Sequence, residues 1–177
     1  MYLGLDLSLR ATGVALLSTE SMETTVVRTV TSPAKLNGPA RLLAIRNSIS
    51  QFSTGGDIIL AIIEGYSFGS RNNQFYLGEL GGVVRTYLYE AGTPYIVVPP
   101  TSLKKWTTGS GNADKIAMAV ATYEQFGLKF DDDNQCDAFN LAVLGAAYSE
   151  NPIIKMTADR KKILDQIRAN PLGLQKG

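Results

Sequence analysis

The amino-acid sequence predicts a three-layer α/β domain, a mixed five-stranded sheet flanked by helices. Three observations carry that reading. The chain opens on two apolar runs, residues 2–8 and 12–18, parted by a short polar break, and a β-branched alternating stretch follows at 24–31. The near-continuous apolar run Asp57-Ile-Ile-Leu-Ala-Ile-Ile-Glu64 suits a strand buried on both faces, as in a parallel sheet covered by helices. Beyond it, helical and strand patterns alternate, and strands first with alternation after is the order of a mixed sheet.

Each element follows from its own residues. The first two runs read as the strands of a hairpin, and Thr24-Thr-Val-Val-Arg-Thr-Val-Thr31 as a third strand. Ser32-Pro33 and Asn37-Gly38-Pro39 are loop punctuation. From Ala40, Leu42, Leu43, Ile45, Ile49 and Phe52 fit one helical face, and Ser53-Thr-Gly-Gly56 ends that helix. The strand at 57–64 gives way to a Gly/Ser/Asn loop at 65–73. A helix over 74–90 turns Leu77, Leu80, Val84, Tyr87 and Leu88 to the core. Pro94–Val98 is a short strand stopped by Pro99-Pro100, and Thr101 is expected to cap a brief helix carrying Lys104, Lys105 and Trp106. A loop spans 107–112. The next helix, 113–126, places Ile116, Val120 and Tyr123 on one face. Asp131-Asp-Asp133-Asn134 opens a last core helix through Leu141, Val143, Leu144 and Ala147, ended by Asn151-Pro152. Residues 158–169 form a polar, basic helix or tail. The expected division is one domain over 1–150 and a C-terminal helix or tail over 151–177.

Composition narrows the chemistry. There is no histidine among the 177 residues, which removes Ser-His-Asp and Cys-His nucleophile systems and histidine-bearing zinc sites. One cysteine, Cys136, permits neither an internal disulfide nor a cysteine-based zinc site. Carboxylates, lysines, hydroxyls or metal ions must carry any catalysis. The net charge of +1 shows no global basic signature, though local patches are compatible with it. No apolar run is long enough to span a bilayer and no basic-then-apolar signal opens the chain, so a cytoplasmic protein without membrane partners is expected.

Three acids stand out. Asp6 and Glu64 each end a strand, and Asp137 interrupts the apolar helix Cys136-Asp-Ala-Phe-Asn-Leu-Ala-Val-Leu. If the first and fourth strands are neighbours, Asp6 and Glu64 stand side by side at the strand ends, where ligands sit in open α/β sheets. Asp133 shares a helical face with Asp137 at i, i+4, and Asn134 lies at i, i+3. Grouped carboxylates repel unless cations neutralise them, and hard oxygen ligands suit Mg²⁺ or Mn²⁺. Two such ions can hydrolyse a phosphodiester without histidine. Simpler roles compete: Asp6 as a turn acid bonding to the Ser8–Arg10 backbone, Glu64 as a residue preceding a turn, and Asp131–Asp133 as a helix cap.

The ordered pieces Gly4-Leu-Asp6-Leu-Ser-Leu-Arg-Ala-Thr12-Gly13, Ile63-Glu64-Gly-Tyr-Ser-Phe68, Gly81-Gly-Val-Val-Arg85, the stretch from Pro100 through Lys104 and Gly109 to Lys115, and Asp133-Asn-Gln-Cys-Asp137-Ala resemble the RuvC-like Holliday junction resolvases of the ribonuclease H-like superfamily, with small phage-type members nearest. The resemblance covers roughly residues 1–148. It implies a ribonuclease H-like fold and a homodimeric Mg²⁺-dependent endonuclease that cuts four-way DNA junctions in opposed strands. It also implies two ions per site, Mn²⁺ able to substitute, and 5′-phosphate and 3′-hydroxyl ends. By it, Asp6, Glu64 and Asp137 are catalytic metal ligands. Cellular members carry two aspartates three apart on the last helix; here Asn134 stands at that offset and Asp133 one residue earlier, with Asp133 the better candidate for the fourth acid and Asn134 able to ligate through its carbonyl. Lys104 and Lys115 match basic residues near the scissile phosphate, with Lys115 assigned to the catalytic group, and Lys105 joins the DNA-contacting set. Tyr66 and Phe68 match the aromatic that probes junction bases, although the usual offset of three from Glu64 holds Ser67. Arg71 and Arg85 are further phosphate contacts. The helix after Glu64, with Tyr87 and Tyr89, is the expected dimer surface, and Arg160-Lys161-Lys162 is expected on a solvated face.

Rival readings are a nuclease of the same fold acting on flaps, branched DNA or RNA–DNA hybrids, and a junction-binding protein without catalysis. An actin-like phosphotransferase would use Asp-x-Ser…Thr-Gly for nucleotide phosphate, but needs two such domains, so no nucleotide cofactor is expected.

Overall fold

The computed structural model describes residues 1–53, 58–65 and 74–170. The strands are β1 (Tyr2–Asp6), β2 (Thr12–Leu17), β3 (Val26–Val30), β4 (Leu60–Glu64) and β5 (Tyr95–Val98). The helices are α1 (Gly38–Ser50), α2 (Gln74–Glu90), α3 (Pro100–Thr108), α4 (Lys115–Phe126), α5 (Asp133–Tyr148) and α6 (Ala158–Ala169). The sheet order is β3-β2-β1-β4-β5. The first three strands pair antiparallel, and β1–β4 and β4–β5 pair parallel. This is the mixed five-stranded sheet that the sequence predicts.

Period-two alternation divides the core in two. Leu3, Leu5, Ala61 and Ile63 face α1 and α2, with Ile45, Ile49, Leu80, Val84 and Leu88. Tyr2, Leu60, Ile62, Ile96 and Val98 face the opposite layer, where Phe139, Leu141 and Leu144 of α5 pack. Asp6 is in phase with Tyr2, and Glu64 with Leu60 and Ile62. Alternation alone therefore turns both acids toward α5.

The α5 helix lies directly on the sheet because two strand glycines let it approach. A Cβ on Gly4 would stand 1.9 Å from the Ala138 carbonyl oxygen, and one on Gly13 2.0 Å from that of Asn134. No ordinary side chain fits at either position.

Several expected details change. Leu43 is 46% exposed rather than in the core, since only Leu42, Ile45 and Ile49 of α1 meet the sheet side. The helix over Lys104–Trp106 starts at Pro100 with Pro99 in the cap position, so Thr101 lies inside it; proline presets the first-turn φ and its missing N–H costs nothing there. The helix then runs to Thr108, where Gly109 closes it in the left-handed conformation, shortening the expected loop. Asp114 caps α4 by accepting from the Ala117 N–H, so that helix begins at Lys115. Asp57 lies outside the described residues, and β4 begins at Leu60.

The α6 helix buries Ile163, Leu164 and Ile167 against the α5 side of the core. Arg160, placed on a solvated face by the sequence, is instead half-buried, its guanidinium over the Trp106 ring and its Nε donating to the Trp106 carbonyl. Lys161 and Lys162 are exposed as expected. Among the described residues, no helix is long and apolar enough to cross a membrane.

Candidate functional site

The site is built from the ends of two parallel strands and the first turns of one helix. The β1–β4 register pairs Leu5 with Ile63, and one further step brings Asp6 beside Glu64. The two carboxyl groups are close enough to perturb each other's ionisation. Asp6 is spared the role of turn acid, because other side chains serve the turn. The Ser8 hydroxyl accepts from the Arg10 and Ala11 N–H groups, and the Thr12 hydroxyl accepts from the Ser8 N–H while donating to the Ser8 carbonyl.

From above, α5 supplies Asp137, with Asp133 one turn earlier. Asp132 is the cap, its carboxylate accepting from the Gln135 N–H at 2.8 Å. The capping role foreseen for the acidic run thus falls to Asp132, which leaves Asp133 available to the site. The charges of Asp133 and Asp137 reach Asp6 and Glu64 respectively. Asn134 lies with its backbone carbonyl over Gly13.

Burial dominates the electrostatics. It raises Glu64 to about 9, helped by the charges of Asp6 and Asp137. It raises Asp137 to about 7, helped by Asp6 and Asp133, and Asp6 to about 6. Burial and mutual repulsion therefore favour a proton shared within the Asp6–Glu64 pair. Two lysines oppose this excess of acid. Lys104 of α3 lowers the values of Glu64 and Asp137, and Lys115 at the start of α4 pairs with Asp133. That contact raises the lysine above its usual value and lowers Asp133. Lys105, next in sequence to Lys104, is exposed.

The donors are oxygen-only, partly desolvated and over-supplied with negative charge, which fits a hard divalent cation. Among the described residues, no three acids are drawn into a ready cage for one ion. Tyr66, Phe68 and Arg71 lie outside the described residues. Arg85 is on α2, its Nε donating to the Gly81 carbonyl at 3.0 Å.

Two supports escaped the sequence. The Thr29 hydroxyl on β3 donates to Asp132 and accepts from the Gln135 amide, pinning the start of α5 to the sheet. Asn140 donates to the Thr122 hydroxyl at 2.8 Å and the Cys136 carbonyl at 2.9 Å, holding α4, and so Lys115, against α5. A threonine on a strand and an asparagine in a helix carry no local signal of such contacts.

No protein-family model matches the chain. It is 31% identical over 118 residues to the crossover junction endodeoxyribonuclease RuvC of Gloeobacter violaceus, spanning 66% of this chain and 68% of that protein. It is 27% identical over 150 residues to RuvC of Synechococcus sp. strain WH7803, spanning 81% and 96%. The fold matches Thermus thermophilus RuvC in complex with a Holliday junction substrate, with a TM-score of 0.70 at 20% identity over 85% of this chain and 94% of that one.

Proposed function

The chain belongs to the RuvC family of crossover junction endodeoxyribonucleases, and from that premise we propose that it is a metal-dependent endonuclease resolving four-way DNA junctions by paired phosphodiester hydrolysis. The observation that carries this reading is the convergence of Asp6, Glu64, Asp133 and Asp137 at one end of the parallel strands, with Lys104 and Lys115 opposing their excess charge.

In this reading Asp6, Glu64, Asp137 and Asp133 hold two Mg²⁺ ions, with Mn²⁺ able to substitute; Asn134, its backbone over Gly13, is the weaker choice for the fourth ligand. When bound, such ions neutralise the carboxylates, help activate a water and stabilise the leaving oxygen. Cation binding would favour the ionised forms of Glu64 and Asp137, whose pKa values burial raises. Lys115, 77% exposed at its side chain, swings from Asp133 to the scissile phosphate and offsets its charge. Lys104 and Lys105 contact the neighbouring backbone. Water attacks phosphorus and the bond to the 3′ oxygen breaks, leaving 5′-phosphate and 3′-hydroxyl ends.

Cutting opposed strands calls for two sites related by a two-fold axis, so the active form is a homodimer. The supporting surface is the outer side of α1 and α2, where Leu43, Tyr76 and Tyr89 are exposed and Pro39, Val83 and Tyr87 line a groove. Sedimentation at micromolar protein is expected to return a dimer; a monomer throughout would sink this part. With DNA as its substrate, the same reading puts the protein in the cytoplasm.

The function is tested by side-by-side cleavage of a synthetic four-way junction, a flap and an RNA–DNA hybrid in Mg²⁺. Symmetric junction cutting, lost in Asp6→Asn and Asp137→Asn, is expected. Stronger cutting of the hybrid would sink the junction reading. Wild-type cleavage no greater than that of Asp137→Asn would leave only a junction-binding protein.

A further inference from the structure

The α4 helix carries an apolar stripe that the fold does not use. Its buried contacts are made by Met118 and Thr122. Ile116, Val120 and Tyr123, which the sequence places on one face, do share a face, but it points outward. They are 74%, 50% and 51% exposed. Large apolar side chains recurring at i, i+4 and i+7 on an open face need an explanation.

The stripe forms one wall of a groove of about 810 Å³ whose opposite side is lined by Phe130, Asp133 and Asp137. The groove is therefore continuous with the acidic site. Lys115 stands at its acidic end, and at the far end the Lys129 Nζ lies 5.2 Å from the centre of the Tyr123 ring. A helix rises about 1.5 Å per residue, so Tyr123 is roughly 12 Å along α4 from Lys115. Stacked nucleotides advance about 3.4 Å each, which makes that reach some three nucleotides.

We infer that this groove receives an unpaired nucleobase within about three nucleotides of the scissile phosphate, with the exposed Tyr123 ring as stacking platform and Ile116 and Val120 as its apolar wall. The inference rests on the junction-nuclease reading, because continuity with that site identifies the occupant as DNA. The lining decides which part of the DNA enters. The groove is mostly apolar, and Glu124, Asp132 and the site acids would repel a phosphate, whereas a base presents an apolar face and no charge. Lys129 sits where it can meet the backbone of the inserted nucleotide. A junction supplies bases that unstack at its crossover, so the groove adds sequence and geometry selection next to the cut.

The test uses the full chain and a four-way junction whose cleavage position has been mapped, with 2-aminopurine placed in turn at the three nucleotides on each side of the cut. In the Asp6→Asn background, which binds without cutting, one position is expected to show quenched fluorescence. Tyr123→Ala should relieve that quenching and Tyr123→Phe restore it. In the otherwise wild-type chain, Tyr123→Ala and the double variant Ile116→Ser/Val120→Ser should slow single-turnover cleavage about tenfold, the scale of one lost base–aromatic stack, with unchanged melting temperatures because these residues are exposed. Wild-type cleavage and fluorescence in both variants would overturn the inference while leaving the nuclease reading intact, and would assign the stripe to a protein partner. Failure of the wild-type chain to cut any junction would overturn both.

Discussion

Lys115 and Asp133 form an ion pair that joins the first turn of α4 to the first turn of α5 at the mouth of the acidic site. Exposed pairs contribute only about 0–1 kcal/mol, so this contact has little structural weight. Its value lies in holding a mobile cation beside the place where a phosphate must arrive. Lys115→Met, which keeps the stem and loses the charge, should leave the melting temperature nearly unchanged and lower junction cleavage by about 10²-fold. Single-turnover rates set against thermal melts check this. A variant that melts early and cuts normally would contradict it.

The same geometry ranks Asp133 above Asn134. The charge of Asp133 reaches Asp6 and Asp137, whereas Asn134 lies over Gly13. Asp133→Asn should weaken Mn²⁺ binding in a calorimetric titration by roughly tenfold or more and slow cleavage accordingly. Asn134→Ala should change either by only a few-fold. The reverse ranking would move the fourth ligand to Asn134.

The buried acids make the metal-free protein sensitive to alkali. Glu64 rises from its ordinary 4.5 to about 9, Asp137 to about 7 and Asp6 to about 6, burial being the main cause each time. Between the unfolded and folded values, the unfolded chain has released a proton that the folded chain keeps. Stability must therefore fall as pH rises through neutrality toward about 9. In EDTA, melting temperatures should drop from pH ~5 to pH ~8.5. Glu64→Gln should flatten the upper part of that slope, and Mg²⁺ should stabilise most at the alkaline end. A melting temperature that climbs with pH would rule this out.

Close approach of α5 to the sheet has its own test. A methyl group on Gly13 meets the Asn134 backbone carbonyl, which cannot rotate away as a flexible side chain could. Gly13→Ala should destabilise the protein by about 1–3 kcal/mol in urea unfolding and also weaken Mn²⁺ binding, since the start of α5 carries Asp133 and Asp137. Wild-type stability would mean the helix has room to move.

Thr29 should act on the site from a distance. Thr29→Val keeps the shape but strips the hydroxyl from Asp132 and Gln135. A loss of about 1–3 kcal/mol is expected, with a small fall in cleavage. Unchanged urea unfolding would show the tether to be dispensable.

Much of this molecule is visible in local pattern. Alternation in Tyr2–Asp6 and Leu60–Glu64 marks both strands and puts each terminal acid in phase with its apolar neighbours. The absence of histidine points to carboxylates before any fold is known. The spacing of Asp133 and Asp137 sets them on one helical face. At α4, periodicity correctly places Ile116, Val120 and Tyr123 on one face but is silent on whether anything covers it. It failed at Arg160, whose partner Trp106 is far away in sequence.

The sequence by itself determined the strands, the helices and the identity of the acids, because periodicity and backbone preference belong to residues near one another in the chain. Only the tertiary structure decided that β1 lies beside β4, that α5 comes down onto Gly4 and Gly13, that Asp132 caps while Asp133 faces Lys115, and that one stripe of α4 stays open. Those outcomes depend on which surfaces fit when residues distant in the chain are packed together. Asp6, Glu64 and Asp137 become one site only through that packing, and the same crowding raises their pKa values and creates the demand for a cation.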